Sequence, residues 1–144
     1  MDLHVEVVPL ATMAITMATP IRMDGTPSGT RIIVEFEQVT WTGDRLRATT
    51  RGHTSGDWLT VGPEGTGALD FRMLLETDDH ALIYVHGVGR NDAINFMQGA
   101  ANYFSMSFET GDDRYRWLNR IQAIAKGALA GDPKHITFAV YELR

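Results

Sequence analysis

The sequence predicts an all-β fold, a small antiparallel up-and-down barrel of about eight or nine strands, on three observations. Apolar and polar residues alternate at period two through most of the chain. Glycine, proline and aspartate turns interrupt that alternation at short intervals. The length of 144 residues suits one core, so residues 1–144 are expected to form one domain. Greek-key sandwiches need long crossovers, and only Thr19 to Thr30 and Asn91 to Asn102 are long enough to serve, which favours the barrel.

The first segment, His4 to Met17, is rich in β-branched and apolar residues and is broken at Pro9, as expected of a bent edge strand or two short strands. Thr19 to Thr30 carries Pro20, Gly25, Pro27 and Gly29 and reads as a long connection. From Arg31 to Trp41, Ile32, Val34 and Phe36 share one face and Glu35 and Glu37 the other. Thr42-Gly43-Asp44 is a hairpin signal leading to Leu46 to Gly52, then Asp57 to Val61 and the turn Gly62 to Gly65. Ala68 to Glu76 and Ala81 to Val88 flank a turn at Thr77-Asp78-Asp79-His80.

Asn91 to Ala101 breaks the rhythm: Asp92 is placed to cap a short helix with Ile94, Met97 and Ala101 along one side. Strands are expected again at Tyr103 to Glu109, at Arg114 to Asn119 running into Ile121 to Leu129, and at His135 to Leu143.

Composition excludes several chemistries. Without cysteine there are no disulfides, thiolate metal sites or cysteine nucleophiles. Thirteen basic against eighteen acidic residues, a formal charge of −5 and no basic cluster argue against a nucleic-acid partner. His4, His53, His80, His86 and His135 are scattered, with no metal-ligand spacing, so no metal site and no cofactor are expected. Gly87 to Asp92 lacks the third glycine of a dinucleotide loop, and no Gly-x-Ser-x-Gly elbow occurs. Leu10 to Ile21, the longest apolar candidate, is about half a membrane span. The first residues lack the charge and apolar run of a secretory signal, which makes the cytoplasm the default expectation.

Candidate site residues come from the strand faces. Asp70 and Arg72 share one face of their strand, opposite Leu69, Phe71, Met73 and Leu75; Tyr84 and His86 share a face opposite Ile83 and Val85. If the aliphatic faces pack outward, Asp70, Arg72, Tyr84 and His86 line a lumen wide enough for one small molecule. In an ordinary half-buried sheet they face water. Asp57 and Trp58 follow Gly56 at what would be a barrel mouth, where Asp57 could act as a general acid or base, or else merely satisfy turn amides. Tyr115, Trp117 and Asn119 alternate, which points all three to one side of a strand and suits them to a flat ring, although Trp117 as a core plug fits equally.

Several landmarks occur in order: Gly29-Thr30-Arg31-Ile32, Gly43, Asp57-Trp58-Leu59, Leu69-Asp70-Phe71-Arg72, Thr77-Asp78-Asp79, Ile83-Tyr84-Val85, and Phe108 to Gly111 leading to Tyr115-Arg116-Trp117-Leu118-Asn119. From about Thr19 to the C-terminus the chain resembles the family called domain of unknown function 3237. The resemblance implies a small barrel related in shape to lipocalins and allene oxide cyclase, and it carries no activity. The chain departs from the family at His80, where the pattern has glycine after aspartate, and it follows the family only loosely over Asn91 to Asn102.

Two functions remain. One is a cofactor-free isomerase or cyclase acting on a small hydrophobic or aromatic metabolite in the lumen. Asp57 and Asp70 would then handle protons, Arg72 would stabilise negative charge, and Trp58, Tyr84, His86, Tyr115, Trp117 and Asn119 would bind the ligand. The other is a non-catalytic carrier or an oligomerising subunit, to which seven methionines and 44% apolar content are equally suited.

Overall fold

The computed structural model describes residues 1–144 and holds ten strands: β1 (Val7–Met17), β2 (Ile21–Thr26), β3 (Gly29–Thr42), β4 (Arg47–Thr50), β5 (Gly56–Val61), β6 (Thr66–Thr77), β7 (Leu82–Asp92), β8 (Asn102–Glu109), β9 (Ala123–Leu129) and β10 (His135–Leu143). All pairings are antiparallel, and β1 pairs with both β10 and β3, which closes the sheet on itself. β4 and β5 lie end to end between β3 and β6, so the two fill one position. β2 prolongs the pairing of β1 along β3. The result is a closed eight-strand barrel with two extra strands, and closure removes the unpaired edges of an open sheet.

β1 bends at Pro9, where the β1–β10 register slips before Ala11 in a bulge that accommodates the missing N–H, but it is one strand and not an edge, since Thr12 to Met17 also pair with β3. His80 has φ 71°, the left-handed conformation the turn demands, and is the one non-glycine residue to adopt it. Three further expectations are corrected. Thr19 to Thr30 is not a plain connection but holds β2 and a tight turn into β3. Asn91 to Ala101 forms only a single 3-10 turn, Phe96–Gln98, although the Asp92 carboxylate accepts from the N–H groups of Ile94 and Asn95 as a cap would. Asp113–Arg120 is a 3-10 helix rather than a strand: Asp112 caps it by accepting from the Arg114 N–H, and Arg114 holds that carboxyl down to about 2.

One end of the barrel is filled. Trp41 meets Phe108 edge-on at 5.8 Å, and Met73, Leu75, Ile83 and Val85 pack around them, almost wholly buried. Leu118 of the 3-10 helix plugs this end, and Arg45 lies over the Trp117 ring at 4.6 Å while donating to Glu142 at 2.6 Å. Higher up, Phe36, Phe71, Phe104 and Phe138 form a band with centroids 4.7 to 6.4 Å apart. Gly87 makes room for this band, because a Cβ there would come within 1.9 Å of the Phe71 ring. Above the aromatic band the barrel is hollow. No helix is long and apolar enough to cross a membrane.

Candidate functional site

The hollow is a cavity of about 300 Å³. Of its 22 lining residues 17 are hydrophobic, and Asp57 is the one titratable group among them. The aromatic band is its floor, Ile32, Leu59, Val61 and Leu69 are in its walls, and Phe96 and Met97 of the 3-10 turn lie at its mouth with Pro20 and Pro133. A cavity of about 150 Å³ accepts benzene, so this one suits an apolar molecule of roughly a dozen non-hydrogen atoms.

Asp57 stands where the wall opens. The β5–β6 ladder pairs Gly56 with Arg72 and Asp57 with Phe71, then resumes only at Thr60 with Ala68. Across that gap the Asp70 N–H donates to Asp57 Oδ1 at 2.9 Å, so the carboxylate takes the place of a strand carbonyl. Oδ2 has no protein donor. Ser55 fixes the entry to β5, since its Oγ accepts from the Leu74 N–H and its carbonyl from the Phe36 N–H. Burial among apolar side chains pushes the Asp57 carboxyl up to about 6, against the Asp70 N–H, which favours the ionised form, and with a smaller push from the nearby Asp70 carboxylate. A carboxyl so tuned can give a proton and take one back near neutral pH.

Two further polar residues in the lining escaped the sequence reading. Asn91 Nδ2 donates to Asn102 Oδ1 at 2.8 Å across the ends of β7 and β8. The signal was there: continuing the inward set Ile83, Val85, Gly87, Gly89 reaches Asn91, and continuing Phe108, Met106, Phe104 reaches Asn102.

The remaining candidates lie elsewhere, for one physical reason: the aliphatic faces pack inward. With Leu69, Phe71, Met73 and Leu75 inside, Asp70, Arg72, Tyr84 and His86 point outward, because a narrow apolar lumen penalises each buried charge. Asp70 Oδ1 and His86 Nε2 pair at 2.8 Å on the outer surface. Arg72 lies 5.9 Å from the centroid of the Trp58 ring, itself outside. Tyr115, Trp117 and Asn119 belong to the closed end. The Tyr115 hydroxyl donates to Asp79, Trp117 stacks on Arg45, and Asn119 exchanges two hydrogen bonds with the Thr110 backbone. Of the nine candidates, only Asp57 faces the cavity.

Fold and cavity together define a closed β-barrel cup with a mostly apolar interior and one carboxyl in its lining. The family model of "protein of unknown function (DUF3237)" matches residues 5–143, and the chain belongs to that family. No curated protein matches it. Among solved structures it is similar to a β-barrel like protein of Acinetobacter baumannii AYE (26% identity, TM-score 0.87, covering 99% of this chain and 98% of that one). A conserved protein of unknown function from Rhodopseudomonas palustris shares the fold at 18% identity and TM-score 0.88, over 99% of this chain and all of that one. An enzyme from Penicillium herquei has the same fold more distantly, at 20% identity and TM-score 0.69, covering 98% and 94%.

Proposed function

We propose that this barrel binds a small, apolar, oxygen-bearing molecule in its lumen and rearranges it by proton transfer through Asp57, as a cofactor-free isomerase or cyclase. The observation that carries the reading is a lone titratable carboxyl, raised to about 6, in an otherwise apolar cavity. Burial of that group is unfavourable to the fold, and a site that keeps such a group in spite of its cost is where function is sought. The protonated carboxyl gives its proton to a carbonyl or alkene of the ligand, and the resulting carboxylate takes one from a carbon or hydroxyl. The atoms of substrate and product are the same and Asp57 is regenerated. At pH 7 about a tenth of the molecules carry the proton, and the remainder are ready as base. That a fungal enzyme is built on the same fold is consistent with catalysis in such a barrel. Asp70 and Arg72 have no part in this chemistry, since both side chains lie outside the wall.

The test uses 1-tetralone, a bicyclic ketone of suitable size, in heavy water. The protein should accelerate exchange of the protons beside the carbonyl above the buffer rate, and Asp57→Asn should abolish the acceleration while still binding the ketone. Binding without exchange in either protein would favour the carrier reading.

A further inference from the structure

The polar pair at the top of the lumen is built more carefully than a wall requires. Asn102 is 8% exposed, its Oδ1 is occupied by Asn91 Nδ2 at 2.8 Å, and no protein group accepts from its own amide nitrogen. Asn91 is held in turn. Its Oδ1 is buried without a partner and lies over Gly67, where a Cβ would come within 1.9 Å of it. Gly67 thus lets the Asn91 side chain lie flat on β6, Asn91 fixes the Asn102 amide, and the Asn102 N–H₂ is left at the cavity with two donors that no protein group within hydrogen-bond reach accepts. The Asn102 amide nitrogen is not sealed among side chains as Asn91 Oδ1 is, and it borders space where a ligand oxygen can accept from it.

We propose that Asn102 is a second ligand-binding group of this lumen, donating to an oxygen on the edge of the ligand opposite the one that meets Asp57. The inference rests on the reading of the cavity as a ligand site and adds what that ligand must look like. Asp57 projects from β5 and Asn102 from β8, three strands apart in an eight-strand wall, so the two face the cavity from nearly opposite sides. An uncharged, mainly apolar molecule of bicyclic size with oxygens at two opposed edges satisfies both. A hydrocarbon leaves both unsatisfied, and no basic side chain lines the cavity to receive an anion. Asn91 acts through Asn102 and is a positioning residue.

The experiment is calorimetric titration of the full chain with 6-hydroxy-1-tetralone, which carries oxygens at both ends, and with tetralin, which carries none. In Asn102→Leu the affinity for the hydroxyketone should fall about five- to tenfold relative to tetralin, the loss of one neutral hydrogen bond. Asn102→Asp retains the shape and the bond from Asn91 but lacks the donor; at pH 8 it should show the same selective loss, which keeps the test decisive if the leucine variant folds poorly. An unchanged ratio of the two affinities in the aspartate variant would overturn the role of Asn102 while leaving the cavity a binding site. If the wild-type protein binds neither probe, the reading of the lumen falls, and this inference with it.

Discussion

The two ends of the barrel are made from the same eight-strand wall and could hardly be more different inside. At the closed end Trp41, Phe108, Met73 and Leu75 fill the space, and a 3-10 helix seals it. At the open end the wall continues, but the side chains stop short of one another and leave about 300 Å³. Three carboxyls differ in sign with their surroundings. Glu142 sits against Arg45, which holds its carboxyl below the usual range, and Asp79 is held low by the hydroxyls of Thr77 and Tyr115. Asp57 is raised by burial among apolar side chains, against the Asp70 N–H and with a smaller push from the Asp70 carboxylate. Glu142 and Asp79 therefore add stability to the fold, and Asp57 costs it some.

Matched substitutions separate the two ends. Leu75→Ala, in the filled end, should cost about 4 kcal/mol, because it deletes a fully packed side chain and leaves a new void, a fall in Tm of roughly 12 °C on heating. At the other end the largest effect is a gain. The folded pKa of Asp57 lies above the unfolded value of 3.8, so the folded protein binds this proton more tightly and ionisation costs stability as pH rises from about 4 through 6. Asp57→Asn keeps an acceptor for the Asp70 N–H and removes that cost. It should stabilise the protein by about 3 kcal/mol above pH 7 and by nothing near pH 4, read from denaturant unfolding at both pH values. The same leucine deletion at the cavity, Leu59→Ala, should cost only about 2 kcal/mol, since that side chain already borders empty space. Equal losses for Leu59 and Leu75 would erase the distinction between a hollow and a packed end.

Much of the fold was legible in the alternation, because a barrel wall repeats one rule along every strand, as in Ile32, Val34, Phe36 and Leu69, Phe71, Met73. The strand faces were legible too, but not which of them turns inward: the same pattern suits a polar lumen and a dry one, and closure decides between them. That is why lumen and solvent are both open to Asp70, Arg72, Tyr84 and His86 in the sequence, and the closed barrel puts them outside. Asp57 is legible from its place after Gly56 at an expected barrel mouth, and the structure adds that it stands on the inward set with Leu59 and Val61. Tyr115, Trp117 and Asn119 alternate as a strand would, yet the Asp112 cap and the contacts with Asp79 and Arg45 wind that segment into a 3-10 helix, a tertiary effect no local pattern carries.

The apolar lumen of the open end raises the Asp57 carboxyl to about 6. Carbon-13 NMR of the aspartate carboxyls from pH 3 to 8, with Asp57→Asn to assign the resonance, tests it directly. A midpoint near 6 is expected for Asp57, moving when 1-tetralone occupies the cavity. A midpoint near the ordinary 3.8, indifferent to the ketone, would mean that water fills the lumen and that Asp57 is a structural acceptor for the Asp70 N–H and nothing more.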